Sequence, residues 1–345
     1  MMRICILKTV SKETVFVLSQ IKVSTITFHQ RAKENDEMTG TKVKRIKKIF
    51  PAMGTLNALT VFNEEASFAL DLCKERTLEL HDKLSAFDPL SETSAVNNAA
   101  GIMSVGVSPD LIELTKISVD FSAITNGAFD ITAGPSSMLW KRAIEESTLP
   151  SKREIERERK KTDYRDIIID STNSRIGLKK KGQSLDFGAV AKGYAADESA
   201  RILEECGVKN AIVNYGGSVV VIGDSQNVGI RDPFSVNGAA FAALKAKDSA
   251  VVTSGIYEQS FVSDGTVCHH IINPLTGKPA KTDLVSVTLT GLHASDLDAY
   301  ATAMFAMELE DAFDFVREKE IEAIFITNNR EVLITNGIKN DFSFL

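Results

Sequence analysis

The sequence predicts an α+β protein, in which helices pack against mixed and antiparallel sheets within a single domain. Segments typical of β-strands recur from residue 55 to the end of the chain, and helical patterns separate them. The two kinds of segment do not alternate regularly, which argues against a doubly wound parallel sheet. We therefore expect one continuous unit over residues 46–345.

The first half of the chain is predicted to contain a strand followed by helices. "TLNALTVF" alternates in polarity and predicts a strand. A helix is predicted over residues 64–85, whose apolar stripe consists of Ala69, Leu72, Cys73, Leu80 and Leu84. A second helix is expected over 110–125, with Ser108 as N-cap and Pro109 at its first position. The polar segment "SKREIERERKK" predicts an exposed helix or an excursion from the core.

Strand patterns are denser in the second half. They are "RDIIIDS", "RIGLKK", "QSLDFG", "AIVNYGGSVVVIG", "AALKAKDSAVVTSG", "HHII" and "LVSVTLTG". A helix is expected over residues 191–206, and another begins near Ser295. The last part predicts a helix, a strand, a turn at Asn328–Asn329 and a final strand.

Composition and charge exclude several classes of protein. The chain has 345 residues, of which 43% are hydrophobic and 25% are charged, as in ordinary globular proteins. A net charge of -6 gives no reason to expect nucleic-acid binding. No segment is long and apolar enough to predict membrane insertion. The four cysteines, Cys5, Cys73, Cys206 and Cys268, form no CxxC pair and favour a reducing compartment over a disulfide framework or a zinc site.

Residues 1–45 are predicted to be a leader outside the folded unit. Lys12, Glu13 and Lys22 interrupt its apolar runs, so it lacks the central segment of a signal peptide. We expect it to be disordered, or not translated if synthesis begins at Met38. With no visible export signal, we predict a cytoplasmic location.

The segment "SDLDAYATAMF" raises two alternatives. Asp298 and Thr302 are four residues apart and share one face of a helix, where a carboxylate and a hydroxyl can both bind a hard cation such as Mg²⁺. Alternatively, Ser295 and Asp298 form a capping-box-like pattern, because acidic residues stabilise a helix N-terminus. The segment by itself favours capping.

The segment "LDFGAVAKGYAAD" predicts a turn that opens a helix. Backbone N–H groups at a helix start favour anions, and Lys192 can add a positive charge for a phosphate. Asp186 stands where it can bind a base, a sugar or a metal. The alternative is a tight turn at Gly188 with a solvated Lys192. Neither a P-loop nor a GxGxxG motif is present.

Two further segments can contact a flat ligand. In "TNGAFDITAGP", glycines allow close approach to the backbone and Phe129 can stack on a ring, although a turn with Phe129 in the core fits equally well. In "HHIINPLTGKPA", His269 and His270 lie on opposite faces of a strand, so at most one of them points to a given site. GxSxG, HExxH and kinase signatures are absent.

Taken in order, these segments resemble a known family. The successive motifs are "AMGT", "FDPLSETSAVN", "TNGAFDITAGP", "LDFGAVAKGYAAD", "NYGGSVVVIG", "TSGIYEQSF", "HHIINPLTGKPA" and "SDLDAYATAMF". They look like those of the FAD:protein FMN transferases, the ApbE-type flavin transferases. The resemblance covers roughly residue 49 to the C-terminus and implies a single T-fold-like α+β domain with FAD in a cleft.

The resemblance also implies roles for individual residues. The expected FAD-binding residues are Met53, Ala128, Phe129, Asp130, Asp186, Lys192, Tyr257 and Ile272. The expected Mg²⁺ ligands are the Asp298 carboxylate, the Thr302 hydroxyl and the backbone carbonyl of Ala189. The catalytic residues would be Asp298, Lys192 and His270, with His270 as the general base or phosphate partner.

The implied reaction moves FMN from FAD to a threonine or serine hydroxyl of an acceptor protein and releases AMP, with Mg²⁺ bridging the diphosphate. Asn273 departs from the family pattern, because an aspartate usually follows the His-Ile-Ile segment. Two other functions stay open. One is a metal-dependent FAD pyrophosphatase, and the other is a flavin-binding homologue without catalytic activity.

Overall fold

The computed structural model describes residues 16–17, 45–63, 66–235, 237–256, 260–263 and 266–345, and for 16–17, 260–263 and 266–268 it describes only the backbone. Most of the leader and Tyr257 lie outside these residues. No helix within the described residues has the length and apolar character to cross a membrane.

The described strands are β1 (Phe16–Val17), β2 (Ile46–Ala52), β3 (Thr55–Val61), β4 (Val105–Gly106), β5 (Ile167–Asp170), β6 (Arg175–Leu178), β7 (Ala211–Tyr215), β8 (Ser218–Ile222), β9 (Gln226–Arg231), β10 (Ala240–Ala246), β11 (Ser249–Gly255), β12 (Ser260–Ser263), β13 (Thr266–His269), β14 (Ile272–Asn273), β15 (Lys278–Pro279), β16 (Leu284–Gly291), β17 (Glu322–Thr327), β18 (Val332–Ile334) and β19 (Phe342–Phe344). The described helices are α1 (Ser67–Leu84), α2 (Glu92–Asn98), α3 (Pro109–Ile124), α4 (Gly134–Glu146), α5 (Lys152–Arg159), α6 (Ala191–Glu205), α7 (Ala294–Met304) and α8 (Leu309–Glu318).

The central layer is a nine-stranded sheet in the order β1-β18-β17-β16-β11-β8-β7-β3-β2, and every neighbouring pair is antiparallel. Both faces are covered, which explains why all five residues of β8 are buried. Because side chains alternate along a strand, Val220 and Ile222 face the main core, while Val219 and Val221 face a second core. The sheet β19-β10-β9 contributes to the second core.

The predicted α+β class is confirmed, and most predicted elements are present. The predicted hairpin turn at Asn328–Asn329 joins β17 to β18. Ser108 occupies the N-cap position of α3, but its hydroxyl donates to Glu92 instead of to the helix. As predicted, α5 is polar, with only Ile155 and Glu158 buried, and a capping box between Ser151 and Glu154 begins it.

Two strand predictions are wrong. "QSLDFG" forms no strand, and Ser184 makes only an isolated bridge to Ala133. The Asn97 side chain accepts from the Leu185 N–H at 2.7 Å and donates to its carbonyl at 3.0 Å, so an amide side chain takes the place of a neighbouring strand. The predicted strand "HHII" is divided, because β13 ends at His269 and β14 begins at Ile272.

A small apolar cluster joins helices α4 and α5 to β14, the strand that follows the two histidines. Leu139, Trp140 and Ala143 of α4 pack with Ile155 of α5 and Ile272 of β14. The Trp140 indole also donates to the Gly277 carbonyl at 2.8 Å. These contacts fix the turn between β14 and β15 against both helices.

Candidate active site

The best-defined polar site lies where α6 and α7 meet. Asp298 is 2% exposed, and its Oδ2 atom accepts a hydrogen bond of 3.0 Å from the Gly193 N–H. The Lys192 ammonium lies 3.5 Å from the same oxygen. A buried carboxylate needs such partners, because an unpaired buried charge costs several kcal/mol, on the order of 3–5 kcal/mol.

Close contact between the two helices depends on Gly193. A Cβ atom on this residue would lie 2.2 Å from the Ala294 carbonyl oxygen and 2.8 Å from the Ser295 Cα atom. Only glycine therefore lets the backbone of α6 come near enough for its N–H to bind Asp298. The sequence motif that contains Gly193 thus also determines the position of the buried carboxylate.

Asp197 provides the cap of α7, and sequence reasoning missed it. Its carboxylate accepts hydrogen bonds from the Ala294 N–H at 2.8 Å, the Ser295 N–H at 2.9 Å and the Ser295 hydroxyl at 2.7 Å. Burial raises the pKa of Asp197, while these three donors favour its charged form. Asp197 lies one turn after Gly193 and so shares the face that meets α7, which is the signal that could have revealed it.

The capping alternative for Asp298 is therefore wrong. Helix α7 begins at Ala294 with His293 as N-cap and without a side-chain cap of its own, and Asp298 binds α6 instead. The half-buried Thr302 follows one turn later, and its hydroxyl donates to the Asp298 carbonyl at 3.1 Å. The predicted common face of Asp298 and Thr302 is present.

The turn before α6 provides a hydrogen-bond acceptor for the Lys192 ammonium. Lys192 Nζ donates to the Gly188 carbonyl at 3.0 Å, and its side chain is 25% exposed. The alternative of a freely solvated Lys192 is therefore wrong. Asp186 is half-buried and accepts the Gly188 N–H at 2.9 Å, which stabilises the turn, and Ala189 packs at the edge of the core.

The segment of residues 128–130 lies beside this turn. The Asp186 N–H donates to the Ile131 carbonyl at 2.8 Å. Ala128 and Phe129 are buried, and the Phe129 ring makes an edge contact with Phe121, so Phe129 belongs to the core. It remains a candidate for bordering FAD by its position, but a stacking role stays a prediction.

Asp130 holds its own segment in place. Its carboxylate accepts hydrogen bonds from the Thr132 N–H, the Thr132 hydroxyl and the Tyr164 N–H, at 2.8, 2.6 and 3.0 Å. Burial raises the pKa of Asp130, which these donors partly offset. The side chain thus connects the loop before α4 to the loop after α5.

The histidine pair divides into a buried and a half-buried residue. His269 is 3% exposed, and its Nε2 atom lies 3.0 Å from the Ala280 carbonyl, so Nε2 carries the proton. Burial lowers the pKa of His269 to about 4, which keeps the ring neutral. His270 is half-buried and has interactions of its own. His270 therefore remains the candidate base.

Asn273 organises the turn after β14 instead of presenting an acid. Its Oδ1 atom accepts the N–H groups of Leu275 at 2.9 Å and Thr276 at 3.2 Å, and its amide donates to the Ala306 carbonyl at 3.3 Å. An ionised aspartate could accept the first two hydrogen bonds but could not donate the third. The Asn273 amide thus ties this turn to the chain just after α7.

Met53 lies at a separate hairpin turn, between β2 and β3. It has a positive φ of 52°, and its N–H donates to His81 Nδ1 at 3.3 Å. Within the described part of the chain, Met53 makes no hydrogen bond to Lys192 or Asp298. Its role, like that of Tyr257 outside the described residues, stays a prediction.

Comparison with known proteins identifies the family of this chain. The model of the ApbE family matches residues 53–325. The chain belongs to the ApbE family. The matched range includes Lys192, Gly193, Asp197, Asp298 and every site residue predicted above.

The curated relatives of this chain are named for a transferase activity. A Klebsiella pneumoniae protein named FAD:protein FMN transferase is 33% identical over 254 residues, which cover 73% of this chain and 80% of the relative. A Treponema pallidum protein of the same name is 29% identical, covering 86% of this chain and 88% of the relative. The predicted enzyme class, a transferase of the ApbE type, is therefore confirmed.

Solved structures show the same fold. The ApbE protein of Thermotoga maritima superposes with a TM-score of 0.79 at 29% identity, covering 86% of this chain and 99% of that one. The apo flavinyl transferase ApbE of Pseudomonas stutzeri has a TM-score of 0.77 at 22% identity and covers 88% of this chain and 98% of that one. The second similarity concerns the fold alone.

Proposed function

We propose that this protein transfers the FMN part of FAD to a threonine or serine hydroxyl of an acceptor protein and releases AMP, in a reaction that requires Mg²⁺. The observation that carries the proposal is the buried Asp298 beside Lys192 at the α6–α7 contact, in a chain of the ApbE family. The names of the curated relatives, FAD:protein FMN transferase, support the substrate and the type of acceptor.

The residues at the α6–α7 contact fit a hard cation. The lysine ammonium already lies between the Gly188 carbonyl and the Asp298 carboxylate, so this position accepts a positive charge. The Asp298 carboxylate, the Thr302 hydroxyl and the Ala189 carbonyl would hold Mg²⁺, which prefers oxygen ligands. When bound, the ion would neutralise charge on the diphosphate.

Only one of the three proposed Mg²⁺ ligands, the Asp298 carboxylate, carries a charge. Among the described residues, no three or more His, Cys, Asp or Glu side chains form a group that could hold a metal. Mg²⁺ sites in enzymes commonly combine one or two carboxylates with substrate phosphates and water. We therefore propose that metal and FAD bind together, with Asp298 as the fixed charge.

The protein residues have separate roles in the proposed transfer. His270 would take the proton from the acceptor hydroxyl. The hydroxyl oxygen would form a bond to the phosphorus on the FMN side of the diphosphate, and the bond from that phosphorus to the bridging oxygen would break. The bridging oxygen would leave with AMP, while Lys192 offsets the charge that develops on the phosphates. The product is a phosphoester of FMN on the acceptor protein.

The experiment that tests the proposal uses the full chain with FAD, Mg²⁺ and a cell extract. We expect AMP release together with a fluorescent band on a denaturing gel, because FMN becomes covalently attached to a protein. Free FMN and AMP without a labelled band would indicate a pyrophosphatase, in which water replaces the hydroxyl. FAD binding without AMP would indicate a non-catalytic homologue.

The predicted cytoplasmic location also stays a proposal, which cell fractionation can test.

A further inference from the structure

A cleft of about 330 Å³ lies between α5 and the turn that joins β14 to β15. It is lined by Lys152, Ile155, Glu156 and Arg159 from the helix and by Leu275, Thr276 and Lys278 from the turn. Its volume lies at the lower end of the range of ligand-binding clefts, about 300–1,000 Å³. None of these residues has a role in the site proposed above.

The cleft carries two positive charges that no neighbour compensates. Glu156 is bound by Arg159 through two hydrogen bonds of 3.0 Å, so these two charges offset each other. The side-chain ammonium groups of Lys152 and Lys278 make neither a hydrogen bond nor an ion pair with any other residue in the described part of the chain. Such a surface attracts carboxylates and steers an acidic partner towards it.

The same cleft offers apolar contact next to the charges. The Leu275 side chain is 58% exposed at the cleft, whereas Ile155 is 8% exposed within it. An exposed leucine beside two lysines matches a peptide segment that carries acidic and apolar side chains together. A free inorganic anion would use only the charges.

Hydrogen bonds within the protein hold the wall formed by the turn in place. Asn273 accepts the N–H groups of Leu275 and Thr276, and Trp140 donates to the Gly277 carbonyl. Gly277 has a φ of 66°, and a Cβ atom on it would lie 2.8 Å from the Arg159 Cβ, so the turn is in close contact with α5. A preformed wall lowers the entropic cost of binding.

The turn that forms one wall of the cleft lies next to two segments predicted to contact FAD. The Leu275 Cδ2 atom lies 3.3 Å from the Cβ position of Gly127, the residue before Ala128. On the other side, Lys278 pairs with Asn273, which directly follows Ile272. A segment bound in the cleft would therefore have its neighbouring residues beside two segments predicted to contact FAD.

From this placement we infer that the cleft binds an acidic segment of the acceptor protein, close in sequence to the hydroxyl that receives FMN. The inference rests on the proposed transferase function and names the recognition element of its protein substrate. Lys152 and Lys278 would contact the carboxylates, and Leu275 would contact an apolar side chain next to them. The cleft would thus select the acceptor without taking part in the chemistry.

The test uses the full chain, FAD, Mg²⁺ and a library of equal-length peptides. Each peptide carries one threonine, and the flanking positions are randomised over Asp, Asn, Lys, Leu and Ala. Mass spectrometry identifies the peptides that gain FMN. The test variant is Lys152→Glu with Lys278→Glu, and the matched control is Lys209→Glu with Lys247→Glu, which makes the same charge change at two exposed lysines outside the cleft.

We expect the wild type and the control to label Asp-containing peptides about 10-fold more than the matched Asn peptides, which corresponds to about 1.4 kcal/mol. In the test variant this preference should disappear or turn towards Lys, while the Michaelis constant for FAD stays unchanged. Equal labelling of Asp and Asn peptides by the wild type would overturn the inference and leave the transferase function standing. A raised Michaelis constant for FAD in the test variant would assign the cleft to FAD instead. AMP release without any labelled peptide would contradict the transferase function itself.

Discussion

Lys192 of α6 and Asp298 of α7 form an ion pair of 3.5 Å in which the carboxylate is almost fully buried. Gly193 brings the two helices together, and Asp197 fixes the start of α7 by binding its first N–H groups. One short helical segment thus supplies the cation, the close contact and the cap. The position of the buried carboxylate depends on all three.

Replacing Asp298 by asparagine should lower the rate of Mg²⁺-dependent AMP release at least about 100-fold. Asparagine keeps an oxygen that can accept the Gly193 N–H but removes the charge that would hold the metal. AMP release is measured by chromatography over a range of Mg²⁺ concentrations. Asp296→Asn, the same change on the same helix, is the control and should keep the metal dependence. Wild-type turnover in Asp298→Asn would refute the assignment.

Lys192→Met should mainly weaken FAD binding. The ammonium lies at the turn before α6, where it can contact a phosphate, and a charged hydrogen bond contributes about 1.5–3 kcal/mol. We therefore expect the dissociation constant for FAD to rise about 10- to 100-fold, measured by quenching of flavin fluorescence. Lys181→Met, at an exposed position, provides the comparison. Unchanged binding in Lys192→Met would argue against a phosphate contact.

Asp197→Ala should destabilise the fold by about 2–4 kcal/mol, because two N–H groups and the Ser295 hydroxyl lose their acceptor. Asp197→Asn, which retains one carbonyl oxygen, should cost less. Urea unfolding gives the free energy of unfolding for each variant. Glu204→Ala, at an exposed position of the same helix, should be close to neutral. If both alanine variants lose the same stability, Asp197 does not act as the cap.

Gly193→Ala should destabilise the protein by about 2–3 kcal/mol, although alanine favours helix formation. The added methyl group would overlap the Ala294 carbonyl, and α7 must move away to accept it. Gly106→Ala is the matched control, since nothing lies within 4 Å of its Cβ position. Thermal unfolding should separate the two variants, and equal midpoints would show that the helices are not in close contact.

His269 should make stability depend on pH below 6.5. The unfolded chain takes up a proton near the ordinary pKa of 6.5, whereas burial lowers the pKa of folded His269 to about 4. Its contribution is therefore complete above pH 6.5 and is lost as pH falls towards 4, by up to about 3 kcal/mol. His269→Gln keeps a donor for the Ala280 carbonyl and does not titrate.

The free energies of unfolding of the wild type and His269→Gln, compared from pH 7 to pH 4, isolate this effect from other titrating groups. We expect the difference between them to shrink or change sign as pH falls. Parallel curves would show that His269 is protonated at its ordinary pKa in the folded protein.

Much of the fold follows from local pattern. Continuous or alternating apolar residues predict the strands of the central sheet, and the stripe from Ala69 to Leu84 predicts α1. The segment "QSLDFG" shows where pattern fails, because Asn97 from a distant helix satisfies the backbone that a strand partner would otherwise bind. The loop before α4 also depends on a contact that local pattern does not reveal, because Asp130 accepts a hydrogen bond from the N–H of Tyr164, which follows α5.

The sequence by itself determined the α+β class, the order of the motifs and the spacing that places Asp298 and Thr302 on one helix face. Those properties depend on residues that are neighbours along the chain. Only the tertiary structure decided that Asp298 binds Gly193 and Lys192 instead of capping its own helix, and that Asp197 provides the cap. The physical reason is that a buried charge is stabilised by whichever donors the packing brings within about 3 Å, and packing joins residues that are far apart in the sequence.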